Sequence, residues 1–335
     1  SQHANKKQTP MWTLAQARDN ATPVDFDNYT PAVPKFIGKR VLKGVDLHEV
    51  VPFIDWGPFF QTWDLAGPYP AILQDEVVGE QARQVFADAQ ALLKRIVDGR
   101  WLTANAVVGL YPAQRVSDDD IALYTDETRQ TTAMTWHGLR QQTEKQMIEG
   151  VMRPSRCLAD FVATPEQGAD YVGMFAVTAG IGADARANGY EAAQDDYNAI
   201  MIKALADRLA EAMAEMMHQR VRTDWWGYAS GEQLSSGELI KEAYQGIRPA
   251  PGYPACPDHS AKRAMFEVLQ AGDVGMALTD SLAMTPAASV SGFYLAHPDA
   301  TYFNVGKIGE DQVRDVAQRS GVDEQRVKVF LGPNL

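Results

Sequence analysis

The chain has 335 residues, of which 45% are hydrophobic and 22% are charged, and its formal net charge is −12. This composition is typical of a globular protein with one large domain or two ordinary ones. The acidic balance excludes nucleic acid and anionic membrane surfaces as main partners, because no basic run is present; a local patch at Lys39, Arg40 and Lys43 stays open. The chain has no apolar run near the roughly 20 residues that cross a bilayer, so we expect no membrane association.

The cysteines and the N-terminus bear on location and domain limits. Cys157 and Cys256 are too few for a disulfide framework, so we expect a reducing compartment, the cytoplasm. The first ten residues are polar and contain no apolar signal core. Residues 1–22 lack periodicity and are expected to form a linker or arm, followed by one functional domain over residues 23–335.

Apolar periodicity predicts most of the regular elements. Repeats of three and four residues predict helices at residues 46–51, 74–97, 197–220, 237–244, 261–269, 309–318 and 323–331. Apolar runs bounded by turns predict strands at residues 104–111, 121–124, 131–136, 157–162, 171–178 and 288–295, with 301–305 as the hairpin partner of the last. The acidic turn 118–120 is expected to be solvated. The strands cluster between long helices, which predicts an α+β fold with a meandering antiparallel sheet, in two lobes of one unit.

The most aromatic segment of the chain carries one acid near its start. Residues 53–63 read Phe-Ile-Asp-Trp-Gly-Pro-Phe-Phe-Gln-Thr-Trp. They are compatible with an aromatic core strand in which Asp55 caps a turn. A carboxylate buried among aromatic rings must be paired or hold a proton, however. Asp55 is therefore also a candidate ligand-binding residue.

A glycine pair follows the strand predicted at residues 171–178. The sequence Ala179-Gly180-Ile181-Gly182 is compatible with a Rossmann-type nucleotide site. A third glycine at the required spacing is missing, and residues 183–189 show no apolar helix face. Repeated βαβ units are also missing, so we do not expect a Rossmann fold.

The helix predicted at residues 197–220 has an apolar stripe with one acid beside it. The stripe contains three methionines and is typical of core packing. Glu211 lies next to the stripe and is expected to be half-buried, with a surface salt bridge as the alternative.

Residues 248–259 form the most unusual segment of the chain. The sequence Arg-Pro-Ala-Pro-Gly-Tyr-Pro-Ala-Cys-Pro-Asp-His excludes a regular helix and a central strand. Its four prolines fix φ, remove N–H donors and push the preceding residues out of the α region. We expect an ordered loop whose free carbonyls and amides face a ligand, beside Arg248, Tyr253 and His259. A rigid crossover between two lobes is the alternative.

The chain lacks the usual catalytic motifs. It contains no Gly-x-x-x-x-Gly-Lys-Ser/Thr loop and no Gly-x-Ser-x-Gly elbow, and its six histidines are scattered without metal-ligand spacing. Cys256 and His259 form a conceivable metal pair, but two further ligands would have to come from distant segments, so no metal site is predicted. A binding role fits these residues better than autonomous acid–base catalysis.

Several stretches together resemble one protein family. The proline-rich loop 248–259, Asp55-Trp-x-Pro-Phe-Phe60 and Ser289-Val-Ser-Gly-x-Tyr294 closely resemble the C-terminal activation domain of cobalamin-dependent methionine synthase. Further matching stretches lie at residues 139–145, 195–197, 203–208 and 244–247. The resemblance extends from about residue 29 to residue 335, and the length of the loop makes it specific.

The resemblance implies a fold and a function. The fold is a C-shaped α+β unit. In this family a separate domain holds cobalamin, whose Co(I) form is occasionally oxidised to inert Co(II). The activation domain binds S-adenosylmethionine and presents its methyl group to the cobalt, while a flavodoxin-type protein supplies an electron. Its part is placement of the methyl donor, so the resemblance implies no catalytic side chain in this chain.

Carried over residue by residue, the resemblance implies eight ligand contacts. These are Asp55, Glu211, Arg248, Ala250, Gly252, Tyr253, Tyr302 and Phe303. Arg248 would pair with the ligand carboxylate through a bidentate fork. Asp55 and Glu211 would face the amino group or polar edge of the ligand.

The other five residues would contact the rest of the ligand. The backbone of Ala250 and Gly252 would line the adenine side, and the three aromatic residues would supply ring or backbone contacts. Phe303 stands where family members often have a second tyrosine, so its role rests on its ring or backbone. His259 also matches the family, without an assigned role.

The chain departs from a whole methionine synthase. It has no Asp-x-His-x-x-Gly cobalamin signature and no zinc or folate module. We therefore expect an excised domain, or one subunit of a split enzyme, that does not make methionine alone. A self-sufficient S-adenosylmethionine-dependent methyltransferase of a small molecule is the alternative function. A third is a docking module for a cobalamin domain and flavodoxin that is indifferent to S-adenosylmethionine.

Overall fold

The fold combines a central sheet with helices on both of its faces. The computed structural model describes residues 10–335. Its strands are β1 (Gly38–Leu42), β2 (Thr103–Arg115), β3 (Asp120–Tyr124), β4 (Thr132–His137), β5 (Met147–Ile148), β6 (Val151–Met152), β7 (Asp170–Ile181), β8 (Ala277–Leu278), β9 (Met284–Thr285) and β10 (Ser289–Tyr294). Its α-helices are α1 (Leu14–Asp19), α2 (Leu47–Val50), α3 (Gly79–Asp98), α4 (Ala183–Ala192), α5 (Asp196–Arg220), α6 (Ser236–Ile240), α7 (Ala261–Leu269), α8 (Glu310–Ser320) and α9 (Glu324–Phe330).

The central sheet is six-stranded and antiparallel. Its order is β10-β7-β2-β3-β4, and β1 pairs with the first half of β2. The strands β2, β3 and β4 form a meander as predicted, whereas β7 and β10 return on the other side of β2. Antiparallel pairing throughout this sheet confirms the α+β class and excludes a Rossmann fold, which requires parallel strands. The C-shaped, two-lobed outline stays a prediction.

The two faces of the sheet bury separate cores. Side chains of β2 alternate between them, so that Val108 packs with α3 and α5 while Val107 packs on the opposite face with α7. The methionine stripe of α5 is buried as predicted, except that Tyr197 at its start is 38% exposed. No helix within residues 10–335 is both long and apolar enough to cross a membrane.

Two predicted strands, and the strand that was one interpretation of residues 53–63, are absent from the structure. Residues 157–162 form a 3-10 turn (Leu158–Phe161), because the Asp160 carboxylate accepts a hydrogen bond from the Cys157 N–H at 3.1 Å. Residues 57–63 also form a 3-10 helix, with Pro58 in its first turn. Residues 301–305 are irregular, since β10 pairs with β7 and the N–H of Val305 bonds to the carbonyl of Pro254 instead.

The glycine pair after residue 178 has a packing role. Gly180 lies within β7, and Gly182 precedes α4 with a φ of 97°. A Cβ atom at Gly182 would lie 2.9 Å from the carbonyl oxygen of Trp101. Glycine is therefore required by the turn itself. The helix α4 was not predicted, because its sequence shows no apolar face.

The N-terminal segment is more ordered than the sequence indicates. Residues 1–9 lie outside the described residues, so the predicted linker is described only from residue 10. Thr13 caps α1, which buries Leu14 and Ala17 against the domain. The predicted linker or arm therefore contains a helix that packs on the domain, and the limits of the functional domain stay a prediction.

A buried ion cluster joins α1, α8 and the β2–β3 turn. Arg140 is 1% exposed and bonds Asp119 at 2.9 Å and both carboxylate oxygens of Asp160 at 2.8 and 2.9 Å. Arg18 donates to Asp119 at 2.7 Å and to Asp315 of α8 at 2.8 Å. The turn at residues 118–120 was expected to be solvated, and it is so only at Asp118, whereas Asp119 and Asp120 are buried. These two acids are buried because arginines from distant segments pair with them.

We expect Arg140→Met to lower the free energy of unfolding by about 3–5 kcal/mol, because it leaves Asp119 and Asp160 buried without their main counter-ion. Denaturant-induced unfolding at pH 7 measures this loss. Arg314→Met is the matched control, since Arg314 lies exposed on α8. A loss no larger than that of the control would contradict this account of the cluster.

Candidate ligand-binding site

The helix α5 and the π-helical turn Val221–Trp225 that continues it carry a row of polar side chains along one face. Glu211, Glu215, His218 and Arg222 follow one another at intervals of four, three and four residues, so they lie above one another on the helix. His218 and Arg222 are fully buried, and Glu215 is 8% exposed. Because α5 packs against β7 and β10, this row faces the segment that follows α6 and contains Arg248.

Arg248 is the most heavily bonded side chain of the site. Its Nη2 pairs with Glu215, and its Nη1 donates to His218 Nδ1 at 3.0 Å and to the hydroxyl of Tyr244 at 3.3 Å. Its backbone N–H donates to the hydroxyl of Tyr302 at 2.9 Å. The side chain keeps 20% of its surface exposed. Arg248 is thus fixed in position and still accessible.

The charges around Arg248 are set by burial and by its neighbours. Burial disfavours the charge of Arg248, but Tyr244 and Glu215 outweigh burial and raise the pKa of the guanidinium. Burial, followed by the cations Arg222 and Arg248, lowers the pKa of His218 well below its ordinary value. Arg248 is therefore charged and His218 neutral at physiological pH.

A cavity of about 280 Å³ lies in front of Arg248, and we call it the acidic cavity. Its charged lining residues are Asp55, Arg208, Glu211, Glu215, Glu242 and Arg248. Asp55 accepts a hydrogen bond from the N–H of Gly57 at 3.0 Å, so it both forms a turn and faces the cavity. Burial raises the pKa of Glu211 and of Glu242. The buried Oε1 of Glu215 has no hydrogen-bond partner among residues 10–335.

A second cavity of about 500 Å³ adjoins the first, and we call it the apolar cavity. It is lined mainly by Phe175, Pro249, Ala250, Pro254, Ala255, Val290, Tyr302 and Phe303. Glu211, Glu242, Arg248 and Tyr253 line both cavities. The two cavities therefore form one site with a charged part and an apolar part, which suits a ligand of the same character.

The proline-rich loop is closed on itself and anchored to the sheet. Gly252 N–H donates to the Cys256 carbonyl at 2.7 Å, Cys256 N–H donates to Tyr253, and Phe293 N–H of β10 donates to the Pro249 carbonyl at 2.8 Å. The expectation that the loop leaves its backbone groups free is therefore wrong for these groups. The N–H of Ala250 has no hydrogen-bond partner within residues 10–335, and Ala250 lines the apolar cavity.

Gly252 and His259 form the inner contact of this loop. Gly252 has a φ of 95°, and a Cβ atom there would overlap the ring of His259. This packing gives His259 a structural role under the loop. Within residues 10–335, no three His, Cys, Asp or Glu side chains are arranged to hold a metal ion.

The structure brings seven of the eight predicted site residues to the two cavities. Asp55, Glu211, Arg248 and Tyr253 line the acidic cavity, and Ala250, Tyr302 and Phe303 line the apolar one. Gly252 lines neither cavity, and it packs against the ring of His259 within the loop. The sequence analysis missed Phe175, Glu215, His218, Glu242 and Tyr244. For Glu215 and His218 a signal existed, namely their helical spacing from Glu211.

Another cavity, of about 180 Å³, lies between β4, α7 and the C-terminal helices. Met134, Leu139, Val316, Val327 and Phe330 make its lining mainly apolar. It shares no residue with the two cavities above and contains no comparable set of charges, so we do not assign it to the site.

Comparisons with known proteins match almost the whole chain to one family. Residues 46–321 match the family model of the activation domain of vitamin B12-dependent methionine synthase. A crystal structure of the MetH reactivation domain bound to AdoHcy, S-adenosylhomocysteine, is similar with 51% sequence identity and a TM-score of 0.92. The match covers 98% of this chain and 99% of that chain. The chain belongs to the family of activation domains of vitamin B12-dependent methionine synthase.

Proposed function

We propose that this chain binds S-adenosylmethionine across the two cavities and presents its methyl group to a cobalamin held by a separate domain of methionine synthase. The observation that carries the proposal is the fixed, accessible Arg248 at the junction of the acidic and apolar cavities. The 51% identical reactivation domain, which binds S-adenosylhomocysteine, supports it.

The charges of the site suit this ligand. S-adenosylmethionine carries one carboxylate, one ammonium group and one sulfonium group next to an adenosine. Arg248 would take the carboxylate through a charge-assisted hydrogen bond. Asp55, Glu211 and the unpartnered Glu215 Oε1 would face the two positive groups. The apolar cavity, with the free N–H of Ala250, would take the adenosine.

The proposed reaction requires this chain only to hold the methyl donor in position. A bound S-adenosylmethionine supplies an electrophilic methyl group, and its transfer from a sulfonium requires no proton transfer. Holding the donor in a fixed geometry lowers the entropic part of the barrier. The isolated chain would therefore not synthesise methionine. Membership of the activation-domain family favours this role over a self-sufficient methyltransferase.

The proposal includes partners and a location. The reacting cobalamin would be on a separate domain, and a flavodoxin-type protein would supply the electron for reducing Co(II). Both cysteines are free and buried among the described residues, and we expect the chain to act in the cytoplasm.

We expect Arg248→Ala to weaken S-adenosylmethionine binding by at least about 1.5 kcal/mol, because a hydrogen bond to a charged group is lost. Isothermal titration calorimetry on the purified chain measures this. Lys203→Ala, at an exposed position of α5, is the control and should bind as the wild type does. Absence of binding by the wild-type chain would refute the proposal, and unchanged affinity in Arg248→Ala would remove Arg248 from the site.

We expect Gly252→Ala to destabilise the fold by about 1–3 kcal/mol and to weaken S-adenosylmethionine binding, because the strained φ and the overlap with His259 displace the loop. Gly272→Ala is the matched control, since a Cβ atom there meets nothing within 4 Å. Adding His259→Ala should recover part of the affinity. No recovery in the double variant would show that the ring is not what the new methyl group meets.

Acidification should weaken S-adenosylmethionine binding more than S-adenosylhomocysteine binding. The raised pKa of Glu211 and Glu242 means that both carboxyl groups take up protons at a higher pH than ordinary glutamates. A cationic ligand favours their ionised forms, so its affinity is full above these pKa values and declines as the pH falls through them. Calorimetry at pH of about 7.5 and about 5 tests this linkage. Equal declines for both ligands would contradict it.

A further inference from the structure

We propose that His218 is a positioning residue that selects ligands carrying a carboxylate, by holding the guanidinium of Arg248 with one donor edge turned to the ligand. This inference rests on the proposed function and deepens it. His218 lies behind Arg248, lines neither cavity and would not touch the ligand.

The hydrogen bonds that Arg248 already makes show which edge of its guanidinium group is available to a ligand. A guanidinium has five N–H donors in a rigid plane. The two of Nη1 are directed at His218 Nδ1 and Tyr244, at 3.0 and 3.3 Å, and Nη2 pairs with Glu215. The Nε–H makes no hydrogen bond within residues 10–335, and it lies in the guanidinium plane on the same edge as one of the Nη2 hydrogens. This edge is the fork that binds a carboxylate with two parallel hydrogen bonds.

His218 is built as a rigid acceptor. Its ring is fully buried, stacks on Tyr294 with centroids 5.2 Å apart, and meets the edge of Tyr244 at 4.6 Å. Arginine can only donate, so Nδ1 must present its lone pair to Arg248 and the ring proton must be on Nε2. The lowered pKa of His218 agrees with this neutral form. The buried Nε2 has no hydrogen-bond partner within residues 10–335, so the observed bond of the ring is the one to Arg248.

Tyr244 is the second residue outside the cavities that accepts a hydrogen bond from Nη1 of Arg248. Its ring lies 4.3 Å below the guanidinium carbon of Arg222, and its hydroxyl is 3.1 Å from that of Tyr302. Arg222 is itself held by Glu232 at 2.6 Å. The orientation of Arg248 therefore depends in part on His218, Tyr244 and Arg222, which lie outside the ligand cavities.

The test uses two ligands and two variants of nearly equal shape. S-adenosylmethionine and its decarboxylated form differ only in the carboxylate. Asparagine and leucine are close in size, but only the asparagine amide oxygen can accept the Arg248 N–H in place of Nδ1. Affinities of both ligands for wild type, His218→Asn and His218→Leu are measured by calorimetry on the purified chain.

We expect His218→Leu to lower the affinity for S-adenosylmethionine about tenfold and to leave that for the decarboxylated ligand within about threefold, the loss expected when one charged hydrogen bond no longer orients the fork. His218→Asn should stay within about threefold of wild type for both ligands, since its acceptor is kept. A merely structural role would weaken both ligands alike. Parallel losses, or an unchanged ratio of the two affinities in His218→Leu, would overturn the proposal.

A second measurement does not depend on the folding of a variant. The nitrogen-15 and proton resonances of His218 in the wild-type chain report its tautomer. We expect an unprotonated Nδ1 and a protonated Nε2, and the opposite tautomer or a doubly protonated ring would also overturn the proposal. A wild-type chain that binds neither ligand would refute the proposed function and ligand selection with it, and the tautomer would then test only whether His218 accepts the hydrogen bond from Arg248.

Discussion

The ion pair between Arg248 and Glu215 joins the two parts of the molecule on which the site depends. Glu215 belongs to α5, the longest helix, and Arg248 begins the proline-rich loop. Burial of a charge is costly unless the charge is paired and hydrogen-bonded, so the pair requires helix and loop to keep one relative position. His218 and Tyr302 add to this requirement by bonding the side chain and the backbone of the same arginine. Under the proposed function, a residue that meets a mobile, charged ligand is thereby placed before the ligand arrives.

The central sheet holds both α5 and the proline-rich loop in position. β10 holds the loop through the bond from Phe293 N–H to the Pro249 carbonyl, and its Tyr294 stacks on His218 of α5. β7 pairs with β10 over six residues and supplies Phe175 to the apolar cavity. The loop and α5 are therefore positioned by the same two strands. The prolines then restrict the part of the loop that these contacts leave unbonded, which lowers the ordering entropy of ligand binding.

Structural elements that depend on contacts between residues close in sequence could be predicted, and those that depend on contacts between distant segments could not. Elements set by local periodicity were predicted well, and α7 has the predicted limits. Residues 157–162 and 301–305 were assigned as strands because apolar content does not distinguish a strand from a turn; the decisive contacts, such as the bond from Val305 to Pro254, come from distant segments. The burial of Asp119 likewise depends on Arg140, which the acidic sequence of its own turn does not reveal.

The residues of the site were also hard to predict where their role depends on contacts between distant segments. Asp55 was a candidate because of its aromatic surroundings and Arg248 because of the proline-rich loop, and the family resemblance implied ligand contacts for both and for Glu211. Glu215 and His218 share one face of α5 with Glu211, but helical spacing alone does not separate a functional row from a solvated one. The row is distinguished only by the position of Arg248 opposite it, and no local pattern in the sequence predicts that position.

Under the proposed function, the charge of the ligand gives a reason for the excess of acids around Arg248. The acidic cavity contains four carboxylates and two guanidinium groups. S-adenosylmethionine with an ionised carboxylate has a net positive charge, and the demethylated product has none. In a partly buried cavity the interaction with that charge is less screened than in water. The acids that attract the donor therefore lose much of their attraction once the sulfonium has given up its methyl group. Under the proposed function, a site of this charge favours exchange of spent ligand for a new methyl donor without any acid–base group.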